Sequence, residues 1–173
     1  MFRLRRKKQK EIEKELKYVI DNVSNYKEVL DVICDVPDEL DKELFEDLKL
    51  KYDIIFPNFM EKNISRLNGA IFNALIHVDR DISKWDYENF SVLSFLNFEN
   101  SNNTYAISSY IDNIKDAYPD LIPFMRDAWD SLYCFSKIDH KIYFIDRDEF
   151  FDEERHLIAD SFEEMLSKCV YEE

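Results

Sequence analysis

Glycine is almost missing from this 173-residue chain, Gly69 being the only one. That excludes the glycine-rich phosphate cradles of P-loop and dinucleotide-binding folds, where backbone must approach phosphate with no Cβ in the way. Turns must instead rely on Asn, Asp, Ser and Pro. Cysteine is scarce and odd in number. Cys34, Cys134 and Cys169 lie in apolar or helical settings without paired metal spacing, so buried free thiols are expected. The three histidines, His77, His140 and His156, are far apart and form no H-E-x-x-H arrangement. His77 reads as a packed or surface residue within a strand. His156, beside Glu153 and Glu154, reads as part of a solvated helix entrance rather than a metal site. There is no G-x-S-x-G nucleophile elbow. No apolar run approaches the roughly 20 residues needed to span a bilayer. The basic N-terminus is followed by no apolar stretch and no lipidation box is present, so a cytoplasmic location is expected.

Positive charge is also in deficit: 23 Lys and Arg stand against 37 Asp and Glu, a formal net charge of −14. This disfavours nucleic acid and anionic membrane as partners, because phosphate would be repelled. It favours a basic protein partner. Six of the first ten residues are Lys or Arg, which leaves a basic tip on an acidic chain. The 46% hydrophobic and 15% aromatic content excludes global disorder. The length suits one domain with a sizeable core and an appendage.

Periodicity divides the chain. Ile12, Leu16, Val19 and Ile20, then Tyr26, Val29, Leu30 and Ile33, recur at helical spacing. Residues 1–33 are therefore expected to form a basic tip and a helical N-terminal extension, helical over residues 8–33, with residues 34–173 as the main domain. Asp35 and Pro37 signal a helix carrying Leu40, Leu44, Leu48 and Tyr52. Asp53 to Pro57 is extended, since a residue before proline is pushed from the α region. A helix from Asn58 to Leu67 should stop at Asn68-Gly69. Ala70 to Val78 and Phe90 to Phe98 read as strands around a charged loop containing Trp85. Ile107 to Tyr118 reads as a helix ended by Pro119. Strands at 131–136 and 141–146 should form a hairpin through residues 137–140. A last helix from Phe162 to Val170 begins with the capping box Ser161 and Glu164, in which hydroxyl and carboxylate exchange bonds with backbone N–H groups.

The order of these pieces carries a resemblance. Leu40 to Tyr52, Phe56-Pro57, Phe59 to Leu67, Asn68-Gly69, Leu93 to Phe98, Pro123-Phe124, Tyr133 to Asp146 and Asp160 to Leu166 together resemble a SUKH-superfamily domain over about residues 37 to 170. That group includes bacterial toxin-immunity proteins and a yeast-type cell-wall assembly regulator. Asp160-Ser161-Phe162-Glu163 is the most specific match. Two departures stand out. Arg126 to Asp130 replaces a glycine-rich segment, and Ile145-Asp146 replaces a Trp-Asp pair. The resemblance implies an α+β fold, a central, mostly antiparallel sheet flanked by helices, with an extra N-terminal helical segment.

It also implies an immunity protein that neutralises a cognate toxin, such as a nuclease, by direct binding without catalysis. The alternative it leaves is a regulatory or scaffold module. No cofactor or metal is expected, and no enzyme activity, since acidic pairs such as Asp127 with Asp130 arise by chance among 37 acids. The densest acidic segment, Asp146 to Glu154, holds Phe150 and Phe151. It reads either as a solvated loop or as a binding rim with aromatic anchors. The candidate partner-binding residues are Trp85, Asp127, Trp129, Asp130, Asp148, Glu149, Asp152, Glu153 and Glu154. For Trp85 and Trp129, core packing is the competing role.

Overall fold

A computed structural model describes residues 16–18, 20, 25–78, 89–149 and 154–172. In chain order these form β1 (Leu16–Tyr18), α1 (Tyr26–Ile33), β2 (Cys34–Asp35), α2 (Lys42–Tyr52), α3 (Asn58–Lys62), α4 (Ile64–Leu67), β3 (Ile71–Phe72) and β4 (Leu75–His77). They continue as β5 (Asn89–Ser91), β6 (Ser94–Phe95), α5 (Ile107–Ile114), β7 (Leu121–Arg126), β8 (Leu132–Ser136), β9 (Ile142–Ile145), β10 (His156–Ala159), α6 (Phe162–Ser167) and β11 (Cys169–Glu172). A seven-stranded sheet runs β10-β9-β8-β7-β6-β3-β2, and a four-stranded one runs β1-β11-β4-β5. The fold is α+β, with a mostly antiparallel sheet, flanking helices and an N-terminal helix, as the sequence implies.

Strand β8 explains where the core lies. All five of its residues are buried. With the period of two, Tyr133 and Phe135 enter the main core while Leu132 and Cys134 enter a smaller cluster with Ile114, Tyr118, Leu121 and Ile145. Aromatic rings dominate the main core. Phe124 meets Phe162 with ring centroids 5.8 Å apart, and Phe56 meets Phe98 at the same distance, both edge to face. Helix α1 contributes Val29, Leu30 and Ile33 to this core, and α6 contributes Phe162, Met165 and Leu166.

Five elements depart from expectation, each because a distant pairing overrides local pattern. Leu16–Tyr18 is a strand, held antiparallel to β11 by Lys17 opposite Tyr171. The helical extension therefore holds at Tyr26–Ile33 and fails at β1, while the basic tip lies outside the described residues. The two long strands each bend. β3 and β6 pair in the large sheet, and β4 and β5 pair in the small one, so a bent ribbon joins the two sheets. The last helix stops at Ser167, and Cys169–Glu172 instead pairs with β4 and β1. His156 is a buried residue of β10, not part of a solvated helix entrance.

Other boundaries shift modestly. Helix α2 starts at Asp41, whose carboxylate accepts from Glu43 N and Leu44 N, rather than at Asp35. The expected helix over 58–67 breaks at Asn63 into α3 and α4. The capping pair forms in a shifted version: Ser161 Oγ accepts from Glu164 N at 3.1 Å, and Glu164 Oε2 accepts from Asp160 N, one residue before the cap, at 2.7 Å. Left-handed turns fall mostly to residues other than glycine, namely Val36, Asp53, Asp130 and His140.

Candidate functional site

The β7–β8 connector is built around Asp127. Its Oδ1 accepts from Trp129 N at 2.8 Å and from Ser131 N at 2.9 Å, while Asp127 N donates to Ser131 O. Asp130 takes the left-handed conformation (φ 64°) that closes the turn. A short aspartate does here what glycine would do elsewhere. The connector thereby presents Trp129 outward, 76% exposed. Of the two readings of Trp129, exposure rather than core packing holds.

Strand β9 leads into a second turn alongside. Asp146 Oδ1 accepts from Asp148 N at 2.9 Å, and Arg147–Glu149 forms a single 3-10 turn. Arg147 ties the two turns together. Its backbone N–H donates to Ser131 Oγ at 3.2 Å, and its guanidinium donates to Trp129 O at 3.4 Å and lies 3.5 Å from Asp130. Asp130 is also held by Arg126 at 2.7 Å, and Arg126 in turn stacks over Tyr105 at 4.9 Å.

Between these turns and the small sheet lies a cleft of about 640 Å³. Leu75 of β4, Phe90 and Ser91 of β5, Tyr133 of β8 and Phe144 of β9 form its floor. Asp127, Trp129, Ser131, Asp146, Arg147 and Asp148 form its wall and rim. The floor is rigid. Phe144 packs edge to face on Phe90 at 5.4 Å and on Tyr133 at 5.0 Å, and Tyr133 donates its hydroxyl to Ser91 O at 2.8 Å. Asp127 is buried, and burial pushes its carboxyl above the ordinary range. The neighbouring Asp146 and Asp130 carboxylates push it the same way, and its two backbone hydrogen bonds only partly offset this.

The candidate residues thus divide. Asp127, Trp129 and Asp148 come together at the cleft, and Asp130 braces its rim through two arginines. Glu149 closes the 3-10 turn. Glu154 is exposed further along, its backbone carbonyl accepting from Tyr118 Oη at 2.8 Å. Trp85, Asp152 and Glu153 lie outside the described residues. Sequence reasoning missed the floor. Leu75 and Phe90 reach it because Leu75 pairs with Ser91 across β4 and β5, a register that no local pattern announces.

The thiols are chemically quiet. Cys34 is raised to about 12 by burial, and Cys134 and Cys169 are raised by the same cause. Among the described residues no cluster of three His, Cys, Asp or Glu could hold a metal ion. Among them, too, no helix is long and apolar enough to cross a membrane.

A comparison with protein families gives a match over residues 39–168, to the model described as SMI1 / KNR4 family (SUKH-1). No curated protein matches the chain.

Proposed function

The chain belongs to the SMI1 / KNR4 family (SUKH-1), and on that premise we propose that it is an immunity protein that silences a cognate toxin by occupying it. The observation that carries this reading is the cleft rim. An exposed tryptophan is fixed beside aspartates whose charge no cation among the described residues fully offsets, on a chain of net charge −14. Exposed aromatic anchors ringed by charge suit a protein interface. A nuclease toxin fits the charge, because a groove that holds phosphate must be basic. Asp and Glu would then stand where phosphate oxygens otherwise sit.

In this reading the protein works in the cytoplasm without catalysis or cofactor. Complementary charge speeds capture, and the buried contacts of Trp129 and its neighbours set the slow release that protects the cell. The interface is drawn from Asp127, Trp129, Asp130, Asp148, Glu149 and Glu154, with Trp85, Asp152 and Glu153 as further members. Residues 1–33 are read as an N-terminal extension docked on the domain of residues 34–173, to which β1 and α1 join it.

The test is capture of the partner from the native source, its identification, and co-expression of the two proteins. The proposal expects a basic polypeptide with a toxin domain whose lethality this chain suppresses. A partner that is harmless in cells, bound through the same surface, would make the chain a regulatory or scaffold module instead.

A further inference from the structure

The cleft has one property that a general acidic surface lacks: a largely buried aspartate whose unbonded oxygen is left open to it. Asp127 is only 7% exposed, and both of its backbone hydrogen bonds fall on Oδ1. Oδ2 has no hydrogen-bond or ion-pair partner among the described residues. Asp146 is arranged alike, Oδ1 accepting from Asp148 N and Oδ2 without a partner among the described residues. A buried carboxylate without a counter-charge is costly to a fold and is normally compensated. Arg147, the one cation among the described lining residues, is directed to Asp130 and to Trp129 O. Asp127, Asp146 and Asp148 against Arg147 leave the lining with a surplus of negative charge.

The wall is also aromatic. The exposed indole of Trp129 stands at the mouth, and the Tyr133–Phe144 pair lies beneath. A planar cation that can bond two carboxylates in its plane and stack on a ring face matches this lining better than a compact ammonium does. A divalent metal is a poorer match, since the described residues offer no cluster of three ligating side chains. We infer that the cleft is a receptor for one arginine side chain of the bound protein, its guanidinium bridging Asp127 and Asp146 and stacking on Trp129. This rests on the immunity reading for the identity of the partner but not for the chemistry of the cleft. It makes Asp127 and Asp146 specificity residues and assigns the partner a projecting arginine at the centre of its contact.

The experiment uses the full-length protein and three small probes: acetyl-arginine amide, acetyl-lysine amide and acetyl-citrulline amide. Only two tryptophans are present, so the Trp129 indole N–H resonance can be assigned with a Trp129→Phe variant and followed by NMR. Saturable shifts with the arginine probe in the millimolar range are expected, about 10-fold weaker with lysine and absent with neutral citrulline. Asp127→Asn and Asp146→Asn keep the Oδ1 acceptor that shapes each turn, and each is expected to weaken the arginine probe about 10-fold. Equal shifts from citrulline, or no saturation with arginine, would overturn the inference. The same variants are then scored in the co-expression assay. Rescue by the parent chain and equally by the Asp127→Asn/Asp146→Asn double variant overturns the cleft while leaving the immunity reading standing. Failure of the parent chain to rescue overturns that reading, and the probe titration still decides the cleft.

Discussion

The carboxylate of Asp127 accepts from the backbone N–H of Trp129 at 2.8 Å, so an outward-facing indole is fixed in place by a buried acid. That acid costs the fold something, because burial raises its folded pKa above the ordinary carboxylate value of 3.8. For a raised acid the sign is the reverse of a salt-bridged one. The penalty is fully present above the raised value, shrinks as pH falls through it, and is gone below the unfolded value. Asp127→Asn is therefore expected to raise the Tm at pH 7, with the difference closing as pH falls towards 4. Melting curves across that range check it. A variant that is more stable yet binds its partner less well marks a residue kept for function.

Gly69 sits at φ 63°, where Asn97 Nδ2 donates to Asp38 Oδ2 at 2.7 Å across it. A Cβ there would lie 2.3 Å from Asp38 Oδ2 and 2.8 Å from Asn97 Nδ2. Gly69→Ala thus adds backbone strain to a broken side-chain bond and is expected to cost about 1–3 kcal/mol. Urea unfolding measures it, and adding Asp38→Ala should recover part of the loss by removing the clash while the φ strain remains.

The start of α6 offers a pH test. Glu164 is held below the ordinary glutamate range first by its hydrogen bond to Lys168 and also by the bond from Asp160 N. A depressed acid adds stability above its unfolded value of about 4.5, and that stability is lost as pH falls through the lower folded value. Ser161→Ala removes the other half of the box and should cost about 1 kcal/mol at neutral pH. Chemical unfolding at pH 7 and pH 3 separates the two contributions.

Rim charge should act on the rate of capture. Replacing Asp148, Glu149, Asp152 and Glu153 together by their amides is expected to slow association with the proposed toxin partner about 10-fold at low salt. It should also flatten the salt dependence and leave dissociation nearly unchanged. Stopped-flow kinetics at two ionic strengths check this, and unaltered association would discard this rim as the steering surface.

Helices and caps were legible because their information is local. The spacing of Val29, Leu30 and Ile33 and that of Ile107, Ile111 and Ile114 is the buried face of a helix in each case. Ser161 with Glu164 marks a helix start within four residues. The strands β1 and β11 were hidden for the opposite reason. Phe162, Met165, Leu166 and Cys169 keep helical spacing, yet Cys169 takes its conformation from pairing with Ile76, more than ninety positions away. The site follows the same rule. Its acidic, aromatic connector from Asp127 to Asp130 could be read directly. Its floor could not, because Phe90 of β5 and Phe144 of β9 belong to different sheets and meet only once the two have packed.

The most direct test is a titration of the purified toxin, at fixed concentration and activity, with increasing amounts of this protein. A silencer that works by occupancy is predicted to lower activity in proportion until it reaches zero at one equivalent. Toxin released from the complex by denaturation and refolding should then regain full activity. Complete inactivation by a small fraction of an equivalent, with toxin that stays inactive after separation, would mean that this chain modifies its partner, and would contradict the account.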